Sequence, residues 1–234
     1  MKFDVVESVK NLLGVEEGSN VELVFDNIGS VAPYISGAIT SHRINRLKKR
    51  LEEHQERLMV IESKLQRKDA TFNEFLKQKA FPIILEDIMN DAQDEKVKFL
   101  FNGFENIIDQ EIKDENRIIA YCDILRELRL DDIKKLLTFT GEYRYNITGK
   151  LNNLLSVSAS QEEIKKHYEN QAYKKYIQNR LERMGLLGIV ASPGKNNMES
   201  IQNIAKSEIG ISTFGRHLIE FFDLTSLIKD GQLI

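Results

Sequence analysis

Four histidines, one cysteine and a few clusters of charged residues are where this sequence could hold chemistry. His42, His54, His167 and His217 are scattered, in no spacing that would bring two imidazoles onto one metal ion. Glu163 and His167 stand four residues apart on one helix face, which reads as surface pairing rather than half of a metal site. Asp87 and Asp91 share a face in the same way, with Asp94 and Glu95 close behind. Two such carboxylates offer oxygen ligands to a divalent cation, but no second acidic set completes the shell, so a solvated face is expected. "SPGK", residues 192–195, places Gly before Lys without the rest of a phosphate-binding loop. No dinucleotide fingerprint and no nucleophile elbow occur. The sequence therefore assigns no catalytic residue, no metal ligand, no cofactor and no small-molecule substrate, and it points to binding rather than catalysis.

Composition narrows the class. The 234 residues are 41% hydrophobic and 29% charged, a balance that can build a folded core and argues against disorder. A net charge of −3 makes the whole chain a poor polyanion binder, so any nucleic-acid role needs a local basic surface. Cys122 is the only cysteine, which rules out an intramolecular disulfide and suits a reducing compartment. The opening "MKFDVVESVKNLLG" interrupts its apolar residues with acids and is no signal-peptide core. The most apolar stretch, residues 21–40, carries Glu22, Asp26 and Pro33, so no transmembrane segment is expected and the location reads as cytoplasmic.

The periodicity is helical. Residues 2–13 form a short amphipathic pattern, and a second helical stretch starts near Asn20. Ile44, Leu47, Leu51, His54, Leu58, Ile61 and Leu65 then recur at alternating steps of three and four, a heptad seam that predicts one long coiled-coil-like helix over 41–68. An apolar seam needs cover, either from later helices of this chain or from the same helix of a second copy, which makes it the candidate self-association surface. Shorter helices follow through residue 140. Thr71 with Glu74 has capping-box spacing, Pro82 suits a helix start, and Asp131 is placed to cap "DDIKKLLTF". Val97, Leu100, Phe101, Phe104, Ile107 and Ile108 line one face, and Ile118, Tyr121, Cys122, Leu125 and Leu128 another.

After a soft stretch at 141–163, rich in Asn, Ser, Gly and Thr, the C-terminal part reads differently. A helix over 162–184 has Ile164, Tyr168, Tyr173, Tyr176, Ile177, Leu181 and Met184 as candidate inward groups and ends at Gly185. "LLGIVAS" is strand-like, "PGKNN" is a turn, a second strand ends in "EIGIST", and "FGRHLIEFF" is a closing amphipathic helix. "RLERMGLLGIV…EIGISTFGRHLIEFF" resembles a frequent bacterial winged-helix ending, with helices near 131–139 and 149–156 completing it. Winged helices serve as DNA readers and as protein-contact modules alike. Lys165, Lys166, Lys174, Lys175, Arg180 and Arg183, with Lys195 in the wing, form the candidate phosphate-following set.

The heptad helix, "FPIILEDIMNDAQDEKVKFLFNGFENIID", "DILRELRLDDIKKLL" and this ending together resemble uncharacterised bacterial and prophage proteins. The layout is also similar to the abortive-infection alpha family, which implies a setting in phage defence and transfers no catalytic residue. The reading is a mainly α protein: a long coiled-coil-like helix plus a helical bundle, with a C-terminal winged-helix-like domain carrying a small β-hairpin. The parts are N-terminal helices at 1–40, the heptad helix at 41–70, a central bundle at 71–140 and the winged-helix-like domain at 141–234. The expected role is a non-enzymatic protein-interaction or assembly module, with another protein or a second copy as partner. The alternatives are a DNA-binding regulator and a membrane-active abortive-infection effector.

Overall fold

Helices carry most of the residues that the computed structural model describes, namely 35–140, 160–190 and 208–229. The chain divides into two units, Met1–Glu127 and Leu128–Ile234. The division comes earlier than the soft stretch at 141–163, so the helix expected at 131–139 belongs to the C-terminal unit. The patterns expected at 2–13, the start of the stretch at 20–40, the helix at 149–156, and the wing with Lys195 lie outside the described residues.

In the N-terminal unit, α1 (Ile35–Glu53) and α2 (Gln55–Leu65) occupy the heptad region. The single helix expected there is interrupted at His54, whose φ of −112° and ψ of 22° leave the helical well. The seam survives the break. Leu47, Leu51, Leu58 and Ile61 are buried, and α1 packs on α4 (Phe81–Asn90) while α2 packs on α5 (Val97–Asp109). This corrects the self-association reading of the seam: its apolar face is already covered by helices of the same chain. Leu65 is half-buried, and the side chain of Ile44 lies outside the described residues. The imidazole of His54 is half-buried 4.9 Å from the Phe101 ring, and burial, with the Arg57 cation, holds its pKa below the usual value.

α3 (Ala70–Phe75) runs through a π turn at Leu76–Ala80 directly into α4. Asp69, not Thr71, caps it by accepting from Phe72 N at 2.8 Å. The π turn has a local cause. Pro82 has no N–H to give to the preceding turn, and the N–H of Phe81 reaches back five residues to the Leu76 carbonyl. α5 buries Val97, Phe99, Leu100, Phe101, Gly103, Phe104, Ile107 and Ile108, which is more than one face, and so forms the centre of the unit. α6 (Glu115–Glu127) buries Ile118, Tyr121, Cys122 and Leu125 as the pattern predicted.

The C-terminal unit begins with α7 (Leu130–Leu137). Its N-cap is Arg129, whose N–H donates to Asp132 at 2.8 Å, so Asp132 rather than Asp131 does the capping. α8 (Gln161–Arg183) follows, with a Ser160–Glu163 capping box at its start. β1 (Leu187–Val190) and β2 (Glu208–Ile211) pair antiparallel, with Leu187 opposite Ile211 and Ile189 opposite Ile209. α9 (Thr213–Phe222) and a short α10 (Ser226–Lys229) close the unit. Helix, strand, strand, helix is the winged-helix-like order expected. Gly185 ends α8 as predicted, at φ +71°, with Gly185 N donating to Glu182 O and Leu186 N to Leu181 O. Ser212 then ties the two ends together. Its hydroxyl donates to Gly185 O at 2.5 Å and accepts from Gly215 N at 2.9 Å.

Candidate functional site

α8 carries the candidate phosphate-following residues Lys165, Lys166, Lys174, Lys175, Arg180 and Arg183. It has 23 residues, whereas α7, the helix it packs on, has 8. A helix that short covers two turns of its neighbour. Only Ile177 and Leu181 of α8 are buried, and of the expected inward groups Ile164, Tyr168, Tyr173 and Tyr176 are exposed instead, Tyr168 by 68% and Tyr176 by 48%. At about 100° per residue these side chains do not form one stripe. Tyr173 lies beside α7 and its hydroxyl donates to Asp131 at 3.3 Å. Its ring stacks on that of Tyr176 with centroids 6.5 Å apart.

The cationic set is divided in the same way. Arg180 is committed to Asp132, 3.0 Å away, and Asp132 is buried, so this arginine holds α8 to α7 rather than facing a phosphate. Lys165, Lys175 and Arg183 project from the face opposite Ile177 and Leu181, with Glu169 and Glu182 among them. Lys165 is 3.9 Å from Glu169. Lys166 and Lys174 leave the helix on other sides. Burial, with Lys174 adding like-charge repulsion, holds the pKa of Lys135 on α7 below the usual lysine value. Glu163 is taken up by capping, with hydrogen bonds from Ser160 that hold its pKa down, and so makes no metal site with His167.

The acids of the N-terminal unit form a structural network, which corrects the expected solvated face. Asp87 and Asp91 are buried. Asp91 pairs with the equally buried Lys96 at 2.5 Å, and Asp87 accepts from Arg126 at 2.8 Å. The buried Arg50 of α1 donates to the carbonyls of Ile88 and Asp91 and to Asp94, closing the C-terminal end of α4. Burial pushes the Asp87 carboxyl up, partly offset by Arg126. Burial, reinforced by the Asp87 charge, raises the Cys122 thiol far enough to keep it protonated. Among the described residues no group of three or more His, Cys, Asp or Glu is placed to hold a metal ion.

A cavity of about 220 Å³ lies beside the π turn, walled by Leu65, Leu76, Phe81 and Phe104 together with Glu62, Gln66, Asn73 and Lys77. Asn73 spends both amide hydrogens on the carbonyls of Leu65 and Lys68, tying α3 to the end of α2. Among the described residues no helix is long and apolar enough to cross a membrane. No family model, no curated protein and no solved structure matches this chain.

Proposed function

We propose that the chain works by binding another protein, as a non-enzymatic interaction or assembly module, and that the outward face of α8 is the contact surface. The observation that carries this reading is the exposure of Tyr168 and Tyr176 on a helix whose buried residues, Ile177 and Leu181, stand in its C-terminal part. Tyrosine is enriched at interfaces because it offers large, rigid contact area with a polar tip. Three cations interleaved with two acids on that face suit a protein partner better than a row of phosphates. The family resemblance favours phage–host conflict as the setting, and the single buried cysteine suits a cytoplasmic one.

Lys135 and Lys174, brought together across α7 and α8, favour DNA binding as the second reading. Anisotropy of a labelled duplex between about 50 and 200 mM salt separates the two. The expected affinity is no tighter than the non-specific range of about 10⁻⁴–10⁻⁶ M at physiological salt, and it is unchanged in Lys174→Glu/Lys175→Glu. Tight, steeply salt-dependent binding that this double variant abolishes would establish the DNA reading instead.

A further inference from the structure

The cavity beside the π turn lies where α2, α3, α4 and α5 of the N-terminal unit converge. Leu76, Phe81 and Phe104 are buried and form its deep walls, with the Phe81 and Phe104 rings stacked 5.0 Å apart. Leu65 is a half-buried wall, and Gln66 and Lys77 are exposed at the edge. At about 220 Å³ the space exceeds the roughly 150 Å³ that holds a benzene ring. It falls short of the roughly 300–1,000 Å³ of a site for a drug-sized ligand or cofactor. A bicyclic aromatic ring suits that size, and a nucleotide does not.

The lining holds a buried acceptor without a donor. Asn73 Oδ1 is out of water and accepts no hydrogen bond. The amide cannot turn over to relieve this, because both of its hydrogens are donated to the Leu65 and Lys68 carbonyls, at 3.1 and 3.2 Å. Turned over, it would set oxygen against those two oxygens. A buried acceptor left bare is costly, and a ligand donor placed on it removes the cost. The π turn is a second sign. Such turns interrupt a helix and are frequent at functional sites, and Leu76 and Lys77 of this one line the cavity. Glu62 and Lys77 on the lining are opposite in charge, so together they favour neither an anion nor a cation.

We propose that this cavity binds a small neutral aromatic molecule carrying one N–H or O–H donor. The ring lies among Leu65, Leu76, Phe81 and Phe104, and the donor bonds Asn73 Oδ1. Indole has this shape and chemistry: a flat bicyclic apolar body, one N–H and no strong acceptor. A ligand whose buried polar atom is an acceptor would meet Oδ1 with no hydrogen between them. The site belongs to the N-terminal unit, so it stands or falls apart from the contact surface on α8.

Titration of the full chain with indole, followed by heteronuclear NMR, tests this. Binding is expected to saturate with a Kd below about 1 mM, with the shifts centred on Leu76, Phe81 and Phe104. Benzothiophene has the same bicyclic outline without the N–H. Although it is the more apolar of the two, it should bind about tenfold or more weakly, because it leaves Oδ1 unpaired. Leu65→Trp fills the cavity from its half-buried wall and should abolish indole binding with unchanged helical circular dichroism. If that variant does not fold, the two compounds on the wild type still decide the matter. Indole shifts that do not saturate, or that fall away from those three residues, overturn the proposal. So does equal affinity for the two compounds, or a folded Leu65→Trp that binds indole as the wild type does.

Discussion

Lys96→Met is expected to cost the N-terminal unit about 3–5 kcal/mol, the loss typical of removing one partner from a buried ion pair. The Lys96 side chain is 2% exposed and its ammonium lies 2.5 Å from a carboxylate oxygen of Asp91, itself 6% exposed. Methionine matches lysine in length and fills the same space, so the loss reports charge rather than packing. What remains is an Asp91 carboxylate out of water, with Gln93 N donating at 2.8 Å to its other oxygen. Domains hold only about 5–15 kcal/mol in all, so the single variant should unfold at much lower denaturant concentration. Asp91→Asn/Lys96→Met should recover most of the loss, because the asparagine removes the stranded charge and keeps an acceptor for Gln93. Chemical denaturation of the three proteins measures this. A single variant within about 1 kcal/mol of wild type would mean that water screens the pair.

Gly215→Ala is expected to destabilise the C-terminal unit by about 1–3 kcal/mol or more, the range for overpacking a site that cannot relax. A methyl group at 215 would fall well inside contact distance of the Leu186 carbonyl oxygen. That oxygen has little room to retreat. It accepts from Ser212 N at 3.0 Å, and Ser212 caps the helix in which Gly215 sits. Moving Leu186 would therefore disturb the cap of α9 and the end of α8 together. Thermal unfolding of Gly215→Ala beside Gly188→Ala, where an added methyl meets open space, isolates the steric effect. Equal behaviour of the two variants would contradict it.

What was legible in the sequence follows from range. Gly185 reads as a helix end because a left-handed residue must stand there for the last carbonyls to be satisfied, a condition local to a few residues. The stripe from Val97 to Ile108 reads as core for the same kind of reason. The break at His54 was hidden because the three–four spacing runs on through it, and Leu51 and Leu58 stay on the buried side while only one residue leaves the helical well. The acids after Asp87 read as a solvated face because nothing nearby in sequence announces that Arg50, roughly forty residues earlier, will close the end of their helix. Tyr168 and Tyr176 read as inward groups because aromatic residues on a helix are usually covered, and their exposure follows from tertiary packing having buried the other side of α8, that of Ile177 and Leu181. The candidate site was therefore visible as a helix and a set of residue types, while the side it presents was decided by tertiary packing.

The most direct test of the central claim is a photo-activated cross-linking residue placed at Tyr168 in the full chain, in cells, with the same residue at Lys77 of the N-terminal unit as a control. The account predicts a discrete protein adduct from position 168, either a second copy or a different protein, and none from position 77. Nucleic-acid adducts from position 168 without any protein adduct, or identical patterns from both positions, would contradict it.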